Sequence, residues 1–91
     1  SENFIAGQNE QAAERLALKR EIERGIEEAD AALATWVDVT HLLEELIPRD
    51  EDYVENATTL QYAVIRSAFL GRIAEAGKYR EDLEDLQKAL N

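Results

Sequence analysis

A heptad pattern of apolar residues between Ile22 and Ile47 constrains the fold of this chain more than any other feature. Alternating steps of four and three residues lead from one end to the other, and Thr40 is the only polar residue met on the way. Such spacing places every member on one face of a helix that lies along a partner helix. Pro48 follows, and proline ends a helix because it lacks an amide proton and clashes with the preceding turn. We therefore predict a first helix over about residues 10–47.

A second helix is predicted beyond this proline. Asp50 is a good N-cap, and the acidic residues Glu51 and Asp52 suit the positive end of a helix dipole. A second apolar seam then runs from Tyr62 to Leu90 with an average step of about 3.5 residues. The second helix is predicted over about residues 51–90, with a break near Gly77 as the alternative.

Two arms of similar length joined by a short turn at residues 48–50 predict an antiparallel hairpin. The expected fold is all-α, a long coiled-coil-like hairpin that forms a single domain of residues 1–91. Folding the arms about the turn pairs positions whose numbers sum to about 98, so that Ala29 lies opposite Phe69. The residues predicted to form this hairpin seam are Ile22, Ile26, Leu33, Trp36, Leu43, Ile47, Ile65, Phe69 and Ile73.

The second helix carries a further stripe of small and apolar residues at heptad spacing. At 100° per residue this stripe lies almost opposite the seam, so a lone hairpin leaves it in water. We predict that it mediates self-association, with two hairpins forming a four-helix bundle, most simply a homodimer. The alternative is that the N-terminal segment folds back over it. The stripe consists of Ala57, Leu60, Val64, Ser67, Gly71 and Ala74.

Charge and composition exclude several classes of partner. Twenty acidic and ten basic residues give a net charge of -10, which repels both phosphate backbones and anionic lipid. We therefore expect neither direct nucleic-acid binding nor membrane binding. The chain has no cysteine and no apolar run near the roughly 18–20 residues that span a bilayer, so we expect a cytoplasmic location.

Few residues suggest chemistry. Asp38, His41 and Glu45 have the spacing of ligands in a helical metal-carboxylate bundle, but their heptad phase points them away from the seam. Glu81 and Glu84 share the i, i+3 spacing of magnesium-binding carboxylates without a matching pair on the facing seam. We therefore predict no metal ligands, no cofactor, no catalytic residues and no enzymatic activity, and keep a metal-carboxylate protein as a remote alternative.

The turn is the most acidic part of the chain, with six acidic residues against one basic residue between positions 44 and 55. Such a concentration of charge at one end of a rod is typical of helix capping and solubility. It also suits a tip that docks on a basic protein surface. The residues of this acidic tip are Glu44, Glu45, Asp50, Glu51, Asp52 and Glu55.

These features predict a non-enzymatic protein–protein interaction module, a self-associating hairpin that serves assembly, adaptor or chaperone work. The alternative is an acidic inhibitor or mimic that blocks a basic, nucleic-acid-binding surface of another protein. The first function depends on the apolar stripe and the second on the acidic residues.

Overall fold

The structure, a computed structural model, describes residues 2–47 and 57–91, and the side chains of residues 6–47 and 60–91 within them. Two helices account for nearly all of these residues: α1 spans Glu2–Glu45 and α2 spans Ala57–Leu90. No strand occurs in the described ranges. The helices pack side by side in opposite directions, and the molecule measures only 17 × 15 Å across. The prediction of an all-α helical hairpin is confirmed.

The first helix starts earlier than its apolar pattern does. Residues 2–10 continue α1 although they carry no seam. Glutamate, glutamine and alanine in this stretch favour helix, whereas Gly7 and the two asparagines weaken it. At the other end α1 closes with two tight bonds, from the Leu46 amide to the Leu43 carbonyl and from the Ile47 amide to the Glu44 carbonyl, at 3.0 and 3.2 Å. A hydrogen bond from an amide to the carbonyl three residues earlier satisfies a carbonyl group in the last turn of a helix. The regular helix therefore stops two residues before the predicted end.

The second helix runs through Gly77 without a break. Its end is extended by the Asn91 amide, which bonds the Gln87 carbonyl at 3.2 Å. The predicted start at residue 51 lies outside the described residues. Within the described range α2 is one continuous rod that faces α1 along most of its length.

The register of the two helices differs from the prediction. Phe69 packs against Trp36, with ring centroids 5.3 Å apart, and Arg66 contacts Glu44 at 2.9 Å. Paired numbers thus sum to 105–110 and not to about 98, so the predicted pairing of Ala29 with Phe69 is wrong. The residues 48–50, where the turn was predicted, lie outside the described residues.

The hairpin encloses very little core. Among the described residues Ile22 and Ala29 are the buried hydrophobic side chains, each 3% exposed, and no large side chain is fully buried. Thr40, the polar member of the first seam, is also buried, and its hydroxyl donates to the Trp36 carbonyl at 2.7 Å. This internal bond removes the cost of burying the hydroxyl in an apolar seam. Two helices alone leave much apolar surface in water.

Gly25 lies in close contact with side chains of α2. A Cβ built at this buried glycine would lie 2.8 Å from Leu83 Cδ1 and 3.4 Å from the Tyr79 hydroxyl. The same addition at Gly77 meets nothing within 4 Å. The absence of a side chain at position 25 therefore lets α2 pack closely against α1.

We expect Gly77→Ala to raise the free energy of unfolding by up to about 1 kcal/mol, since alanine favours a helix interior over glycine. Gly25→Ala makes the same gain but must displace the Leu83 methyl group, so its net effect is expected to be zero or destabilising. Urea unfolding followed by circular dichroism, at equal protein concentrations, measures both. Equal stabilisation by the two substitutions would show that the helices are not closely packed at Gly25.

Candidate interaction surface

None of the predicted seam residues is fully exposed to water. Ile22 is buried, and the remaining members are half-buried. Trp36 and Phe69 make the central aromatic contact. The half-buried members are Ile26, Leu33, Trp36, Leu43, Ile47, Ile65, Phe69 and Ile73.

The stripe on α2 lies on the side away from α1. Leu60 is 45% exposed and Val64 is 70% exposed, while the small residues Ser67, Gly71 and Ala74 are exposed as well. The side chain of the remaining member, Ala57, lies outside those described. The hairpin itself therefore does not cover the described part of this stripe.

One edge of the hairpin carries ion pairs between the helices. Arg66 Nε lies 2.9 Å from Glu44 Oε1, and Arg80 Nε lies 2.5 Å from Asp30 Oδ1. Arg80 also bonds Glu84 one turn further along α2. These side chains lie on the same side of the seam, which we call the ion-paired edge. Sequence reasoning missed them because basic residues that flank a seam have no periodic signal of their own.

Within the described residues, the opposite edge carries no charged side chain from Val39 to Ile47 on α1 and from Leu60 to Gly71 on α2, and the exposed pair Arg72 and Glu75 follows on the same side of α2. At 100° per residue, Leu42 and Leu46 lie on the side of the α1 seam away from Glu44, and Val64 lies on the side of the α2 seam away from Arg66. The register brings these segments to the same level. We call this surface the uncharged edge; it consists of Val39, Leu42 and Leu46 on α1, and Gln61, Val64 and Ala68 on α2.

Large apolar side chains on the uncharged edge are widely exposed. Leu42 is 63% exposed, Leu46 is 60% exposed and Val64 is 70% exposed. Thr35 lies next to this edge on α1. Its hydroxyl donates to the Ala31 carbonyl at 3.0 Å, so this polar group already has a hydrogen-bond partner within α1. Sequence reasoning also missed this surface, although the i, i+3, i+7 spacing of Val39, Leu42 and Leu46 was available as a signal beside the stronger seam.

The acidic tip is only partly described. Glu44 is half-buried and paired with Arg66, so its charge is used inside the hairpin. Glu45 is exposed. The other four members, Asp50, Glu51, Asp52 and Glu55, lie outside the described residues.

The histidine and its neighbours are separated from the seam. Asp38, His41 and Glu45 are all exposed on α1. Among the residues whose placement is described, no group of three histidine, cysteine, aspartate or glutamate side chains is arranged to hold a metal ion.

Short-range ion pairs account for the shifted ionisable groups. A hydrogen bond from Arg24, and then its charge, lowers the pKa of Glu21, and the same contact raises the pKa of Arg24. A hydrogen bond to Asp82 raises the pKa of Lys78 in the same way. A carboxyl with a lowered pKa stabilises the fold above its unfolded pKa and loses that contribution as the pH falls through its folded pKa. These groups are exposed, so solvent screens the effect, and each pair supports only its own helix.

No helix in the described ranges has a stretch apolar and long enough to cross a membrane. Comparisons with protein-family models, curated proteins and solved structures give no match. The properties of the surface therefore carry the functional argument.

Proposed function

We propose that this chain is a non-enzymatic protein–protein interaction module, a hairpin that self-associates into a four-helix bundle and serves in assembly, as an adaptor or as a chaperone. The observation that carries the proposal is the exposure of large apolar side chains in the half of the molecule nearer the turn. They are Leu42, Leu46, Leu60, Val64 and Leu70, each more than two-fifths exposed.

The total accessible surface supports association. A compact monomer of 10.3 kDa exposes about 5,300 Å². This chain exposes 7091 Å², which is about 1,700 Å² more. Large obligate interfaces bury roughly 1,000–2,500 Å² on each partner. The excess is therefore of the size that a partner subunit of an obligate complex covers.

Core composition supports the same conclusion. Apolar burial is the main favourable term in folding, at roughly 25 cal/mol for each Å² removed from water. Ile22 and Ala29 are the only buried hydrophobic side chains among those described, so the lone hairpin recovers little of this term. A second layer of helices would bury the half-buried seam residues further and add new contacts outside the seam.

The acidic mimic is the second candidate, and the outer face of α1 favours it. Glu23, Glu27, Asp38 and Glu45 are exposed on the side of α1 away from α2. A row of carboxylates along a rod offers repeated contacts to a basic surface. This candidate needs no self-association.

Salt distinguishes the two candidates. Two copies of a chain with a net charge of -10 repel each other, so we expect added NaCl to strengthen self-association. Binding of a basic partner would weaken under the same change. For a dimer, we also expect the midpoint of thermal unfolding to rise by about 5–10 °C for a hundredfold increase in protein concentration. Circular dichroism melts over a grid of protein and NaCl concentrations measure both effects. A midpoint independent of protein concentration would contradict self-association.

A further inference from the structure

We infer that the occupant of the uncharged edge is a second copy of this chain, so that Leu42 and Leu46 of α1 lie in the dimer contact together with Val64 of α2. This inference rests on the proposed self-association and specifies the surface that performs it. If the stripe alone formed the contact, only α2 would touch the second copy. Contact through the uncharged edge includes α1 as well.

Bundle geometry favours the edge over the stripe. The stripe lies almost opposite the α2 seam, so a copy docked on its centre would place four helices in a row. A four-helix bundle requires each helix to contact two neighbours at roughly right angles around a shared core. The uncharged edge comes nearer to this requirement, because Val39 and Leu46 on α1 and Ala68 on α2 lie to the side of the seams. Leu42 and Val64 lie further round, between the side and the outer face, and are exposed at the same level.

Charge favours a second copy as the occupant. Each copy carries a net charge of -10, and like charges brought together in an interface are destabilising. Contact through the ion-paired edge would bring Asp30, Glu44 and Glu84 of both copies close to one another. The uncharged edge brings no charged side chain of its own into contact, and the Arg72 and Glu75 side chains that border it on α2 pair with each other at 3.8 Å. A basic partner would gain no ion pair from the edge itself. A two-fold dimer uses the same surface on both subunits, which suits a patch that neither attracts nor repels itself.

The test compares three variants of the full chain. Leu42→Glu and Leu46→Glu are expected to weaken the dimer at least 100-fold, because each adds a carboxylate to both sides of the contact. Leu70→Glu is the matched control: Leu70 is 41% exposed, but it lies on the side of the α2 seam that faces the ion-paired edge, so its dimer should persist. Light scattering over a concentration series gives the dissociation constant, and circular dichroism checks that each hairpin is folded. Leu42 and Leu46 are exposed in the single hairpin, so the substitutions need not unfold it.

Cross-linking gives a second measurement that does not depend on charge. The chain has no cysteine, so single cysteines introduced at Val39, Leu42 and Leu46 report only on contacts between copies. At least one should form a disulfide-linked dimer under mild oxidation, because residues near a two-fold axis meet their own equivalents. His41→Cys, adjacent in sequence but on the other side of α1, should not.

The outcomes separate the inference from the proposal beneath it. A dimer that survives both Leu42→Glu and Leu46→Glu, with cross-links absent from the edge, would overturn the inference and leave self-association standing. A monomeric unmodified chain would overturn both. Loss of the dimer in the Leu70→Glu control while Leu42→Glu keeps it would place the contact on the other edge and also overturn the inference.

Discussion

Phe69→Ala is expected to lower the free energy of unfolding by about 3 kcal/mol, the low end of the range for removing a core aromatic ring. The low end applies because Phe69 is half-buried in the hairpin. The ring packs on Trp36 with centroids 5.3 Å apart, so the substitution also removes a favourable aromatic pair. Urea unfolding followed by circular dichroism measures the loss, and Phe69→Leu, which keeps most of the volume, should cost clearly less.

The same variant tests the register. Trp36 is the only tryptophan, so its fluorescence reports on this contact alone. Removal of the Phe69 ring should expose the indole to water and shift its emission to longer wavelength. In the register that pairs Phe69 with Ala29, the ring would lie about two turns from Trp36, and the emission would not change. An unchanged spectrum in a folded Phe69→Ala variant would contradict the observed pairing.

Val64→Asp is expected to convert the proposed dimer to a folded monomer. Val64 is 70% exposed in the hairpin and belongs both to the α2 stripe and to the uncharged edge, so it lies in the contact whichever of the two surfaces dominates. An unpaired charge buried in an apolar interface costs about 3–5 kcal/mol, which corresponds to at least a 100-fold weaker dimer. Sedimentation equilibrium gives the dissociation constant, and the helix content should be retained.

Two matched variants make this result specific. Val64→Thr keeps the shape of the side chain and adds only a hydroxyl, so the dimer should weaken far less than with aspartate. Glu27→Lys combined with Asp38→Lys reverses charge on the outer face of α1 and should leave the dimer intact or strengthen it by lowering the repulsion between copies. Loss of the dimer in the lysine variant would contradict the assignment of the contact to apolar surface.

The helices and their antiparallel packing could be predicted from sequence because both depend on local patterns. The seam from Ile22 to Ile47 requires a helical partner, and Pro48 lies just after α1 ends. The early start of α1 was missed because residues 2–10 lack the apolar pattern on which the prediction depended. Residues that favour helix can extend it beyond the apolar seam, so apolar periodicity alone underestimates the length of such a helix.

The register could not be predicted because two heptad seams pack nearly as well after one helix is shifted by seven residues. Moving α2 by one heptad still sets apolar residues against the α1 seam. The structure fixes the choice through contacts outside the repeat, in which Arg66 pairs with Glu44 and Arg80 pairs with Asp30. Gly25 also favours this register, because the missing side chain leaves room for Leu83 close to α1. Each of these is a single residue whose partner is known only once the helices are in place.

The uncharged edge was missed for a related reason. Leu42 and Leu46 lie beside the seam and not on it, and their exposure becomes meaningful only when Val64 is seen at the same level on α2. The stripe on α2 was visible from sequence because all its members belong to one helix. A surface shared between two helices requires the register, which the sequence left open.

Sedimentation equilibrium of the unmodified chain tests the proposed self-association most directly, since it measures mass without assuming a shape. The prediction is a mass twice the 10.3 kDa of the chain at micromolar concentration and above, with dissociation on dilution. A mass of 10.3 kDa that stays constant across the accessible concentrations, in a protein whose helices are intact, would contradict it.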